Sequence, residues 1–280
     1  MRLRIFHRTR YIYRASVRDS HNEVRLRPAT DDSARCEFFL LNVNPPVRLK
    51  HYRDEWMNYV HWFDIAEPHN GLSIDAQLTV HTSSPYTAGM PHGVSFATLS
   101  ELQDDLLAPL VKSSTYVDIN REVWKEALDV KAASNDVFAT AEAIMTHIHT
   151  NWAYIPGTTH ASTHMREVME QRRGVCQDFA HVMIGMCRSL GIPARYVSGY
   201  LYNGPGAHLR GAQASHAWCE VFVPGKGWFG LDPTNNTLAD ERHVTARTHR
   251  NVQIADLRAE YRRFEVRRHP VPLEPRLEIR

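Results

Sequence analysis

Cysteine is scarce in this chain: 280 residues hold only 4. That excludes a disulfide-stapled scaffold. No run of about 18 apolar residues occurs, so no membrane-crossing helix is expected. The N-terminus, Met1-Arg2-Leu3-Arg4-Ile5-Phe6-His7-Arg8, alternates charge with apolar residues and has no continuous apolar core of a secretory leader. A cytoplasmic protein is expected on that ground. Charge of one sign is also lacking. There are 33 basic and 31 acidic residues, a net charge of +2, which favours neither nucleic acid nor an anionic membrane as partner. Apolar residues make up 43% and charged residues 23%, which excludes wholesale disorder. In an intracellular setting each cysteine then reads as core filler, metal ligand or nucleophile. Histidine, by contrast, is abundant at 17.

Residues 1–95 read as an N-terminal antiparallel, sandwich-like β-domain. Runs of β-branched and aromatic residues at 5–17, 24–26, 36–43, 47–52, 59–65 and 72–81 are separated by turn signals such as Asn44-Pro45-Pro46 and His69-Asn70-Gly71. A loop rich in Pro and Gly follows at 83–94. Residues 96–280 then change period and read as an α+β core. Asn120 is a cap candidate for one helix, and Ser134 or Asn135 for a second carrying Val137, Ala141, Ile144, Met145 and Ile148 on one face. Ser162 or Thr163 opens a short helix closed by Arg172-Arg173-Gly174. The next starts near Cys176 and buries Val182, Met183, Met186, Cys187 and Leu190. Strands follow at 194–202, 215–223 and 228–231, with weaker ones at 243–246 and 264–266.

Cys176 is the cysteine with a chemical setting. It sits in the first turn of an amphipathic helix, where unpaired N–H groups and roughly half a positive charge favour a thiolate over a thiol. Asp178 in the same turn partly opposes this. Cys187 and Cys219 fall on apolar faces and Cys36 carries no partner pattern, so all three read as filler. A thiolate needs a base, and the base needs an orienting group. His216 opens one strand and Asp232 closes the next. The turn at 224–227 makes these strands antiparallel and brings both residues to the same end.

Four ordered motifs then carry a resemblance: Gly174-Val175-Cys176-Gln177-Asp178-Phe179-Ala180-His181, Gly191-Ile192-Pro193-Ala194-Arg195-Tyr196-Val197-Ser198-Gly199-Tyr200, Ser215-His216-Ala217-Trp218 and Trp228-Phe229-Gly230-Leu231-Asp232-Pro233-Thr234. They resemble the transglutaminase-like superfamily core, which has a papain-like fold. Upstream, Tyr13, Arg25-Leu26-Arg27-Pro28, Tyr52-Arg53-Asp54-Glu55-Trp56-Met57-Asn58 and Pro68-His69 resemble the bacterial transglutaminase N-terminal domain. Two departures stand out: Met57 replaces a usual Gly, and Arg247-Thr248-His249-Arg250-Asn251-Val252 replaces a Gly-Arg-Asp-Tyr stretch.

The resemblance implies a cysteine hydrolase or acyltransferase acting on protein or peptide amides. Cys176 would be the nucleophile, His216 the base and acid, and Asp232 the residue that orients it. The acyl group would pass to water or to a primary-amine co-substrate. Trp152, Tyr154, Gln177 and Trp218 are candidates for the oxyanion donor or cleft wall, and Tyr196, Tyr200, Tyr202 and Trp228 for cleft or core. No cofactor and no metal is expected, and no EF-hand-like calcium loop is present. Three rival readings are a non-catalytic scaffold of the same fold, a metallohydrolase built on His147/His149 or on His160/His164 at i, i+4 spacing, and a redox protein. Against the last, the sequence has no Cys-x-x-Cys.

Overall fold

In the computed structural model, alternation of side-chain burial explains the N-terminal strands. The structure describes residues 1–102, 104–160, 162–204, 209–210 and 215–249, and the backbone of 261–268. Along β1 (Arg2–Val17), Leu3, Ile5, His7 and Thr9 point inward. Along β6 (His69–Thr82), Leu72, Ile74, Ala76, Leu78 and Val80 do the same. This period of two is what a sheet with one covered face requires. The intervening strands are β2 (Ser20–Arg27), β3 (Ala34–Asn44), β4 (Lys50–Arg53) and β5 (Tyr59–Ile65). A second core cluster joins inward residues of these strands to Tyr200, Val244 and Ala246, so the N-terminal sheets pack on the C-terminal one.

The helical layer comprises α1 (Phe96–Ser100), α2 (Arg121–Lys131), α3 (Val137–Asn151), α4 (Met165–Gln171) and α5 (Cys176–Ser189). The short strands β7 (Ala153–Tyr154) and β8 (Arg173–Gly174) pair in parallel beside them. Then come β9 (Ala194–Leu201), β10 (His216–Val223), β11 (Gly227–Asp232), β12 (Thr237–Leu238), β13 (His243–His249) and β14 (Tyr261–Arg268). The five-stranded sheet has the order β12-β11-β10-β9-β13. A second sheet reads β14-β1-β6-β3, and a third β2-β5-β4. The strand at 264–266, grouped by sequence with the second unit, therefore pairs with β1 of the first. Every side chain of α5 from Asp178 to Arg188 is buried, so α5 is a central helix rather than one with a single apolar stripe. The mixed α/β fold agrees with the papain-like expectation.

Helix ends differ from the sequence reading in three places. Asn120 caps α2 as expected, its Oδ1 accepting from the N–H groups of Glu122 and Val123. The cap of α3 is Asp136 rather than Ser134 or Asn135, because its carboxylate reaches Ala139 N–H at 2.8 Å. The cap of α4 is His164 rather than Ser162 or Thr163; its Nδ1 accepts from Arg166 N–H. At the other end Arg172, not a glycine, takes the left-handed conformation with φ 51°. Gly174 is reserved for a different need. A Cβ there would come within 2.7 Å of the Asp178 side chain, which turns back over it.

Candidate active site

Cys176 opens α5, and the residue before it is Val175, which has no side-chain acceptor for the first-turn donors. A capping Ser or Asp side chain would satisfy such N–H groups; here Asp178 N–H turns to the Val175 carbonyl, and no side chain caps the N–H groups of Cys176 and Gln177. The reciprocal half of a capping box is present. The Asp178 carboxylate accepts from Val175 N–H at 2.8 Å and from the Thr159 hydroxyl at 2.5 Å. Burial pushes the Asp178 carboxyl up, and the hydrogen bonds from Thr159, Val175 and Gln177 only partly offset it. The helix start is thus fixed by a carboxylate that bonds the N–H of Val175, the residue before Cys176.

His216 and Asp232 lie at the open end of the β10–β11 hairpin, just beyond the last paired residues, Cys219 and Leu231. His216 Nε2 is 2.8 Å from Asp232 Oδ2, with both side chains fully buried. Asp232 is held on every side. Oδ1 accepts from the backbone N–H groups of Thr234 and Asn235, and Oδ2 also accepts from Asn235 Nδ2 at 2.7 Å. Burial alone would push the imidazole toward its neutral form. The Asp232 charge and hydrogen bond, joined by Cys176, outweigh it and raise His216 to about 10. The same pairing holds Asp232 far below the usual carboxylate range despite its burial. Nε2 is spent on Asp232, and Nδ1 makes no hydrogen bond of good geometry. Nδ1 is the nitrogen left for the Cys176 thiol, whose charge and hydrogen-bonding capacity His216 feels. Catalytic pairs often show this loose approach without substrate.

The other sequence candidates divide. Tyr154 follows the β7 pairing with Gly174, stacks edge-on against Phe179 and carries Arg210 over its ring at 5.6 Å. Burial, then the neighbouring Cys176, pushes its phenol up to about 12. The phenol therefore keeps its proton and is a hydrogen-bond donor near Cys176. Trp152 instead packs between His147 and Arg172 in the helical core, and none of its ring contacts is with Cys176, His216 or Asp232. Gln177 donates to the His160 carbonyl at 2.7 Å and so braces the preceding loop. Trp218 is buried against His216 and lies over Gly199 and Gly230, where any Cβ would collide with or crowd its indole. Tyr196 and Tyr200 are buried as well; Tyr202 packs against the N-terminal core and Trp228 stacks under Arg195. Cys187 and Cys219 are buried core residues, and Cys36 is half-buried.

His243 was missed. Its Nε2 lies 3.5 Å from the same Asp232 oxygen, and its side chain is buried. His216, Asp232 and His243 are also the donors in the described residues that could hold a divalent cation, all within 4.8 Å. The hydrogen bonds of Asp232 already account for the cluster. The pair proposed for a metal at 160/164 has no shared helix face, because α4 begins only at Met165. His147 pairs with Glu126, and His149 contacts the Thr234 carbonyl.

The N-terminal motif has a physical role here. Asp54 gathers Arg25 Nε, Trp56 N–H and both the backbone and side-chain N–H of Asn58. Asn58 then clamps β13: its Nδ2 donates to the Thr248 carbonyl and its Oδ1 accepts from Thr248 N–H. Met57 keeps the turn usually made by glycine, at φ 61°. Of the departing stretch 247–252, residues 247–249 extend β13, and 250–252 lie outside the described residues.

The transglutaminase-like superfamily profile covers residues 126–233, and the bacterial transglutaminase-like N-terminal region covers 3–81. An uncharacterised protein of Mycobacterium leprae is 32% identical over 270 residues, 93% of each chain. The chain belongs to the transglutaminase-like superfamily. A candidate cysteine protease from Cytophaga hutchinsonii has the same fold, with TM-score 0.77 at 22% identity over 98% of this chain and 93% of that one. A protein-glutamine gamma-glutamyltransferase of Pseudomonas aeruginosa is 39% identical over 79 residues, 27% of this chain and 12% of that protein.

Proposed function

We propose that this superfamily member is a cysteine amide hydrolase or acyltransferase. Its substrate is a carboxamide or peptide bond, of which a glutamine side chain is the simplest. The observation that carries the reading is the buried His216–Asp232 pair, with the second imidazole nitrogen left to Cys176 at an uncapped helix start. The thiol proton of Cys176 rests on His216 Nδ1, in the imidazolium that Asp232 favours, and the thiolate sulfur attacks the carboxamide carbon. The carbonyl oxygen takes the electron pair. The α5 N–H donors and the Tyr154 hydroxyl supply hydrogen bonds for that oxyanion. As the C–N bond breaks, His216 returns the proton to the departing amine, leaving an acyl-thioester on Cys176. Water or a primary amine then loses a proton to His216 and attacks the thioester carbon. The C–S bond breaks and the sulfur is released.

The relative named as a protein-glutamine gamma-glutamyltransferase supports an amine as one acceptor. A mass-spectrometric screen tests the reading. Gln-containing peptides are incubated with and without cadaverine, and +1 Da deamidation, amine adducts or cleavage are scored against Cys176→Ala. Turnover in the native protein that vanishes in the variant is expected. Turnover that survives Cys176→Ala overturns it.

A further inference from the structure

His243 sits at the first position of β13, paired with Leu201 of β9, while His216 pairs with Gly199 of the same strand. Two histidines thus flank β9, and the Asp232 carboxylate lies between them. The Trp218 indole packs edge-on against His243 with ring centroids 5.2 Å apart, and tilts against His216 at 6.1 Å. Gly199 makes this possible, since a Cβ there would lie 2.7 Å from the indole and 2.1 Å from the Val244 carbonyl oxygen.

Both nitrogens of His243 are engaged. Nδ1 lies 3.2 Å from Asp240 N–H and 3.3 Å from Asp240 Oδ1; with Nδ1 accepting from that N–H, the proton sits on Nε2, the nitrogen 3.5 Å from Asp232 Oδ2. Asp240 is itself fixed by Arg242, whose Nε is 3.0 and 2.9 Å from its two oxygens. A continuous line runs from Arg242 through Asp240, His243 and Asp232 to His216. The line starts at the partly exposed Arg242–Asp240 pair and ends at a carboxylate–imidazole pair with no solvent contact.

We propose, resting on the catalytic reading above, that His243 is a positioning residue: its Nε2–H shares Asp232 Oδ2 with His216 and holds that oxygen aimed at the base. A buried carboxylate that loses one of its donors turns toward those that remain or admits water. Either change loosens the His216 hydrogen bond. His243 touches neither the nucleophile nor the scissile group.

Two variants of the full chain separate positioning from packing. His243→Phe keeps a ring against Trp218 and removes both nitrogens. His243→Gln keeps an N–H donor. The readouts are the site-resolved rate of Cys176 alkylation by iodoacetamide at pH 6, and the exchange-protected His216 ring N–H resonance in the proton NMR spectrum. At pH 6 an ordinary thiol is only about 0.3% ionised, so the rate reports the thiolate that His216 supports. The Phe variant is expected to alkylate at least fivefold more slowly, with the resonance shifted or lost. The Gln variant is expected to stay within twofold of native with the resonance in place. A folded Phe variant with native rate and resonance overturns the proposal, as does an equal loss in both variants. Should the Phe variant fail to fold, the native spectrum decides, because the proposal requires a second protected imidazole N–H from His243. Its exchange at the solvent rate overturns it. His216→Ala is the control: if it leaves alkylation unchanged, the catalytic reading itself fails, whatever the His243 variants do.

Discussion

Replacing Asp232 by asparagine keeps the shape of the site and removes its charge. The two oxygens of Asp232 only accept hydrogen bonds, and asparagine has one acceptor oxygen and one donor nitrogen. Two of the donors, the N–H groups of Thr234 and Asn235, are backbone and cannot turn away from Oδ1. The asparagine oxygen therefore stays there, and its NH₂ faces His216 Nε2. That forces Nε2 to become the acceptor and puts the imidazole proton on Nδ1, toward Cys176. A base already protonated on its working nitrogen cannot take the thiol proton. The energy at stake follows from His216, which is raised from 6.5 to about 10. At about 1.4 kcal/mol per unit, the site favours the imidazolium by roughly 5 kcal/mol.

In Asp232→Asn burial is opposed only by Cys176, so the His216 midpoint should fall well below about 10 by NMR titration. Peptide turnover should drop by roughly 10³–10⁴-fold. The stability change has a definite sign. A raised histidine stabilises the native protein fully below the unfolded value of 6.5, and that contribution is lost as pH rises through about 10. The variant must keep His216 neutral, so its deficit in urea unfolding should be larger at pH 6 than at pH 9. A His216 midpoint that stays near 10 in the variant would refute the reasoning. So would a deficit that grows with pH.

Three further outcomes follow from other parts of the chain. Asn58→Ala removes two buried hydrogen bonds to the Thr248 backbone and should cost about 2–4 kcal/mol in urea unfolding; a change under about 0.5 would show that the clamp is idle. Met57→Gly should raise the urea midpoint slightly. It relieves about 1–2 kcal/mol of left-handed strain at an exposed position against an entropy cost of about 0.5–1, and a lower midpoint would contradict this. His181 is buried between Tyr116 and Tyr196, and burial, helped by Arg188 and His164, pushes it down to about 3. A depressed histidine stabilises the fold above 6.5, and that stability drains away as pH falls toward about 3. Thermal melts should lose on the order of 3 kcal/mol from this residue by pH 4.5, and His181→Phe should flatten the slope between pH 6.5 and 4.5.

What was legible in the sequence is what local chain geometry determines. The Cys176 helix start is written in a glycine, a turn and an apolar period. The meeting of His216 and Asp232 follows from one hairpin and a count to either side of its turn. The caps at Asp136 and His164 were harder. Neighbouring Ser, Asn and Thr residues compete for the same role, and only the path of the backbone selects one. Arg172 defeated the expectation of a glycine stop because the glycine two residues later is committed to Asp178.

His243 was hidden for a different reason. It reaches Asp232 only because β13 adds to β9 at the edge of the sheet, a pairing between strands that are not adjacent in sequence. The local signal was present but incomplete. Asp240 stands three residues before His243, and the chain alternates after it into a strand, a pattern that fixes an imidazole without saying what its second nitrogen meets. Trp152 is the converse case. Sequence proximity to Tyr154 made both oxyanion candidates, yet Trp152 closes α3 before β7 begins at Ala153, so the helix end rather than the strand sets its direction. Tyr154 lies near enough to Cys176 to feel its charge, and Trp152 packs between His147 and Arg172. The His216–Asp232 pair is thus encoded in one hairpin, while the contact of His243 with it depends on the sheet edge that Asn58 clamps. On that argument, damage to the N-terminal domain at Asn58 should reach the chemistry through β13 and His243 as well as through stability.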